Sequence, residues 1–186
     1  MPSSSANILV GVAAVSWFPI TAETGVGPPV AIQYGAEVAL GWTSDGAVLT
    51  VSTDIADIVV ENLDGPIKRV VTIQGVSVTL NMAEGTLVNL GVAIPKSAID
   101  PAGTLTLGVP DTAAFPYEMG KVVLIGKGPS AVTRTVTLFK VTPTGEVGIP
   151  YKKGEISVVP VTFQALKDGI PANTATYDKF GTIVDA

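Results

Sequence analysis

The sequence predicts a mainly β fold, a β-sandwich or partial barrel with one flanking α-helix, and three observations carry that prediction. Val (27), Thr (20) and Ile (14) supply 61 of the 186 residues. Such β-branched side chains suit a pleated surface and lose χ1 freedom in helices. Gly (20) and Pro (14) punctuate short apolar runs as turn signals, without a collagen-like period. Hydrophobic residues reach 47% against 15% charged, in a chain of 19.0 kDa, which is enough for a core without disulfide or metal staples.

Residues 1–45 read as an N-terminal arm with the first strands, and residues 46–186 as the main β domain, the whole forming a single domain. The apolar run Ile8 to Ile20 spans thirteen residues and includes Ser16 and Pro19. It falls short of the roughly 18 to 20 residues of a membrane span, and no basic residue precedes it as a secretory signal requires. A buried strand or an assembly arm is the expectation, in a protein made and used without crossing a membrane. Asp45-Gly46 stands between Val38–Thr43 and Ala47–Ser52, a hairpin signal because both residues adopt positive φ. The strand from Ile55 to Asn62 ends at the turn Leu63-Asp64-Gly65-Pro66.

From Ile67 to Leu80 the apolar face changes side at Gly75. Val71 and Ile73 are odd-numbered, whereas Val76, Val78 and Leu80 are even-numbered. Side chains alternate strictly along a strand, so the switch requires a glycine bulge or a change of packing partner. The same parity change recurs around Pro160, and proline in a strand implies an edge or a bulge.

A helix is expected over about 82–91. Asn81 would cap it, Glu84 would complete a capping box, and Gly91 and Pro95 would end it. Ala83, Leu87, Leu90 and Ile94 would form its apolar stripe. Beyond it, residues 99–117 read as a long loop around the short strand Thr104–Leu107. Lys121–Ile125 is apolar on both faces, as a central strand would be, and Ala131–Val141 alternates. Thr142-Pro143-Thr144-Gly145 reads as a turn, followed by strands at Val147–Tyr151, Glu155–Phe163 and within Ala175–Val184.

Two absences bound the chemistry. Without Cys or His the chain has no thiolate nucleophile, no zinc knuckle and no Ser-His-Asp constellation. Gly126-Lys127-Gly128 fails as a phosphate loop, since glycine stands where Ser or Thr must ligate magnesium. Asp54, Asp57, Glu61 and Asp64 cluster without the alternate spacing of a calcium loop. No cofactor or metal is expected. Trp17 and Trp42 are expected to pack in a core or an interface rather than on a sugar. The net charge of −5 divides into −8 over residues 1–120 and +3 over residues 121–186. The net negative charge disfavours nucleic-acid binding, and the uneven division would help like subunits stack head to tail.

Taken in order, the pattern resembles the tail tube (major tail) protein of long-tailed (siphovirus-type) bacteriophages. The resemblance rests on Asp57-Ile58-Val59-Val60-Glu61, Pro66-Ile67-Lys68-Arg69-Val70-Val71 and Val76-Ser77-Val78-Thr79-Leu80 as paired strands. Met82 to Leu90 follows as the helix, and Glu155 to Leu166 as a closing strand. It covers roughly residues 50–186. It implies a virion protein, made in the host cytoplasm, that self-assembles into homohexameric rings stacked as a hollow tube and meets other tail proteins. Strands from each subunit would join an intersubunit barrel, and DNA would pass through the lumen without specific binding. On that reading Asp54, Asp57, Glu61 and Asp64 are the candidate lumen-facing acids, and Trp17, Phe18, Leu105, Leu107 and Phe115 the candidate ring-stacking contacts. A monomeric Ig-like binding module or virion decoration protein is the alternative, with a carboxylate-dependent enzyme behind it.

Overall fold

The computed structural model describes residues 14–22, 32–59, 66–108, 119–128, 132–144, 146–149, 158–167, 169 and 175–186. Its fold is mainly β, with ten strands and one short helix among the described residues. In chain order these are β1 (Ala14–Ala22), β2 (Gln33–Tyr34), β3 (Val38–Val59), β4 (Pro66–Met82), α1 (Leu87–Ala93), β5 (Ser97–Ile99), β6 (Leu105–Leu107), β7 (Gly120–Lys127), β8 (Thr133–Thr144), β9 (Val159–Ala165) and β10 (Gly181–Asp185). All pairings are antiparallel. The main sheet runs β10-β8-β7-β1-β3-β4-β9, and a further pairing of β8 with β9 closes six of its strands into a ring. One edge of β8 carries β7; the other carries β10 at residues 134–138 and β9 at residues 141–144.

The ring interior holds the core. Val15 and Trp17 of β1, Leu40 of β3, alternate residues of β4 from Val76 to Met82, Val122 of β7 and alternate residues of β9 from Val159 to Ala165 are buried. The Trp17 and Phe163 rings stack with centroids 5.2 Å apart. As its two apolar faces led one to expect, β7 is central, flanked by β1 and β8. β1 is equally internal, so residues from Ala14 onward belong to the same sheet as the rest.

Several local expectations are corrected. Asp45-Gly46 makes no hairpin: β3 runs straight through it, and the ladder to β4 skips from Thr43 opposite Met82 to Ala47 opposite Leu80. The positive φ of Gly46 (80°) serves this irregularity, and Asp45 Oδ2 accepts hydrogen bonds from Ser44 Oγ and Asn81 Nδ2. Asn81 is therefore a strand residue, and the helix starts one turn later than expected. Thr86 caps it by accepting from the Asn89 N–H at 3.2 Å. Gly91 lies inside α1 and is buried there, while Leu87 of the expected stripe is exposed. Asn89 is buried instead, and its Nδ2 donates to the carbonyls of Leu40 and Glu84 at 3.1 and 2.6 Å, tying α1 to β3. Thr142-Pro143-Thr144 is strand rather than turn, paired with Gln164, Phe163 and Thr162. Residues 146–149 form no strand, although Val147 packs on the core. Pro160 fits the expectation for a strand proline, because it stands where β4 alone flanks β9.

Candidate assembly surface

Beyond the ring, β3 and β4 continue as a two-stranded ribbon. β1 pairs with β3 only up to Trp42, and β9 pairs with β4 only from Ser77. Past those points, among the described residues, neither outer edge of the ribbon has a strand partner. At about 3.3 Å per residue, the stretch of β3 beyond Val51 reaches roughly 25 Å from the ring. The described side chains at residues 52–58 of β3 and 67–72 of β4 are all exposed, yet they are not the polar set expected of a ribbon in water: Ile55 is 60% exposed, Val71 57% and Ile58 44%.

The parity change around Gly75 has its explanation here. The ladder is regular from Leu80 to Ile73, and Gly75 pairs with Ser52. A Cβ at Gly75 would sit 2.7 Å from Ser52 Oγ, so a larger residue there would require the exposed Ser52 hydroxyl to rotate away. The irregularity comes later, where Asp54 pairs with Ile73 but Ile55 pairs with Val71, leaving Thr72 as the extra residue. The Thr72 hydroxyl donates to the Asp54 carbonyl at 3.1 Å. This bulge brings Val71 onto the face of Val76 and Val78, so an apolar row, interrupted by the Thr53–Gln74 pair, runs from the core out along the ribbon.

The same register places the acids. Asp54 and Asp57 lie on opposite faces, Asp54 across from Ile73 and Asp57 across from Arg69. Arg69 Nε donates to Asp57 Oδ1 at 2.9 Å in an exposed pair of small energetic weight. Any surface made by one ribbon face therefore carries one of these two acids. Glu61 and Asp64 lie outside the described residues.

The candidate stacking residues separate in the same way. Trp17 is corrected: it is fully buried against Phe163 and offers no surface to a neighbouring ring. Phe18 lies on the opposite side of β1, with Lys121 Nζ 4.0 Å from its ring centroid and 4.6 Å from that of Tyr34. Partial burial there holds the Lys121 ammonium below the usual lysine range, and Glu37 opposes the shift. Leu105 and Leu107 belong to the β5–β6 hairpin, in which Leu107 is 61% exposed; Phe115 lies outside the described residues.

Two adjoining grooves of about 320 and 410 Å³ open at the root of the ribbon, sharing Leu49, Val136 and Ile183 in their linings. At their edge Arg134 Nε and Nη2 donate to the two Asp185 carboxylate oxygens, both at 2.6 Å, clamping the end of β10 to β8. The Arg134 hydrogen bonds hold the Asp185 carboxyl below its usual value of 3.8 and lift Arg134 in turn. A carboxyl depressed by folding adds stability above its unfolded pKa and loses it as pH falls through the folded one. An NMR titration of Asp185 is therefore expected to show a midpoint below 3.8, returning to the ordinary carboxylate range in R134A. An unchanged midpoint in R134A would refute the clamp.

Among the described residues there is no group of three or more acidic side chains placed to hold a metal, and no helix is long and apolar enough to cross a membrane. No family model matches the chain, and no curated protein matches it. The parity change at Gly75 left a bulge and a change of packing partner equally open in the sequence; the closing of the ring behind the ribbon shows that, among the described residues, no strand covers its outer edges.

Proposed function

We propose that this protein is a structural virion subunit, the building block of a phage tail tube, which forms stacked homohexameric rings around a lumen for DNA and does no covalent chemistry. One observation supports the reading above the others. Among the described residues, the β3–β4 ribbon projects past a closed ring with neither outer edge paired to a strand and with apolar side chains on both faces. Unpaired edges template strand addition and aggregate unless covered, and copies of one chain arranged in a circle cover them all. Burial of a Val or Ile side chain contributes about 1.5–3 kcal/mol when complete, so a few such residues per subunit suffice to drive association. Within that arrangement the ribbon supplies the intersubunit barrel, one of Asp54 and Asp57 faces the lumen, and Leu107 with the β5–β6 hairpin meets the next ring. An acidic lumen wall repels phosphate and lets DNA slide.

Electron microscopy and sedimentation of the purified protein test this. Rings or tubes with a central channel are the expected result. A strictly monomeric 19.0 kDa species at high concentration would overturn it in favour of an Ig-like binding or decoration module.

A further inference from the structure

The outer surface of the ring differs in chemistry from one side to the other. On the β3–β4–β9 side, Val78, Leu80, Val161 and Phe163 are buried, so strand alternation turns Ser77, Thr79, Thr162 and Gln164 outward. The ladder sets Thr50 beside Ser77, Ser77 beside Gln164, and Thr79 beside Thr162. These polar groups are engaged within their own sheet. The Thr79 and Thr162 hydroxyls share a hydrogen bond of 3.1 Å, Ser52 Oγ donates to the Gly75 carbonyl at 3.4 Å, and Gln164 Nε2 donates to the Val76 carbonyl at 3.2 Å.

The charges on this side have one sign. Residues 43–54, 73–82 and 159–165 contain no Lys or Arg and two acids, Asp45 and Asp54. Both belong to the outward face: Asp45 accepts from Asn81, two residues past Thr79, and Asp54 lies two past Ser52. Lys121, Lys127 and Arg134 stand across the ring on β7 and β8. Arg69 is on the opposite face of the ribbon, paired with Asp57. Beyond Asp54 the outward face turns apolar, with Ala56 opposite Val70, before its first cation, Lys68.

We propose that this β3–β4–β9 face is the wall of the DNA channel, with Asp54 rather than Asp57 turned to the lumen. The inference rests on the tube reading and fixes which way each subunit faces. A wall that lets a polyanion slide must not bind it, and each phosphate neutralised by Lys or Arg adds affinity through counterion release. The β3–β4–β9 side offers no such contact. Its hydroxyls, bonded to their own sheet, leave phosphate to its water, and Asp45 and Asp54 repel it. The β7–β8 side, with its lysines and arginine, is then the tube's exterior. Asp57 and Arg69 fall on the face that continues the core row, where the neighbouring subunit lies.

The chain has no Cys, so single cysteines report cleanly. Thr50 and Thr79 are exposed on the proposed channel wall, and Ile125 is 43% exposed on β7 across the ring. Tubes assembled from T79C, T50C or I125C are treated with a small maleimide and with a polyethylene glycol maleimide too bulky to enter the channel. Both reagents are expected to modify I125C. T79C and T50C are expected to take up the small reagent and lose the reaction with the bulky one, which returns once the tubes are dissociated. T79C open to the bulky reagent, T79C closed to both, or I125C shielded from the bulky one would each overturn the orientation while the tubes themselves stand. Failure of both T79C and T50C to assemble where the native chain does would overturn it too, by placing this face in a subunit contact. Absence of tubes from the native chain would instead remove the tube reading, and this inference with it.

Discussion

Replacing residues 54–73 by Asn-Gly is expected to abolish ring and tube formation while leaving the domain folded. Thr53 and Gln74 face each other across the β3–β4 ladder, and Asn-Gly supplies a two-residue type I′ turn suited to rejoin them. Every side chain of β3 and β4 described as buried lies outside the excised stretch: Leu40 and Thr43 precede it, and Val76, Val78, Leu80 and Met82 follow it. The described side chains removed are exposed, and the ion pair lost, Arg69 with Asp57, is exposed as well. The thermal midpoint should therefore move by no more than a few degrees, whereas sedimentation should shift completely to a monomer. A milder pair, I55D/V71D, places two like charges directly opposite each other on the apolar row and should weaken assembly in the same direction. A truncated chain that still assembled would remove the ribbon from the interface. One that unfolded would make the ribbon part of the fold.

The two outcomes are separable because the sequence announces the ring and the ribbon in different ways. The ring was legible where the signal is local: the β-branched composition pointed to the class, and the run Lys121–Ile125, apolar on both faces, pointed to a central strand. What was not legible depends on pieces distant in sequence. Asp45-Gly46 has the chemistry of a hairpin turn, but Val38–Trp42 and Ala47–Ser52 do not pair with each other; β1 takes the first and β4 the second, so the glycine's positive φ relieves an irregular ladder instead. Asn81 and Glu84 look like a capping box, but the pairing of Met82 with Val159 holds the chain extended past the place where a helix would start. Trp17 illustrates the same limit from the site's side. Its neighbour Phe18 is as aromatic and as close to the N-terminus, and only strand alternation around a closed ring decides which of them is buried. The acids Asp54 and Asp57 are three residues apart, an odd spacing that puts them on opposite faces of any regular strand, and that much was available from the numbering alone.

Trp17→Ala is expected to cost about 3–5 kcal/mol, the range for deleting a large aromatic side chain from a core. Against a total of about 5–15 kcal/mol for an ordinary domain, that brings the protein close to unfolding. The side chain is fully buried, stacks on Phe163 at 5.2 Å, and sits on the strand that joins β3 to β7, so its loss opens a cavity where three strands meet. Its surroundings are fitted to its shape, because a Cβ at Gly120 would collide with the six-membered part of the indole. Gly120→Ala should accordingly be destabilising in the native protein and less so in W17A, where the clash with the indole is gone and only that with the Phe18 carbonyl, 2.7 Å from the added Cβ, remains; such coupling between touching residues runs to about 0.5–3 kcal/mol. The indole N–H has no acceptor among the described residues, so Trp17→Phe removes an unpaired buried donor while keeping a ring against Phe163, and should cost clearly less than Ala. Urea unfolding of the four variants checks the set. Additive losses in W17A and G120A would show that the two sites do not touch. A loss under about 1 kcal/mol in W17A would move Trp17 out of the core and back among the surfaces open to a neighbouring subunit.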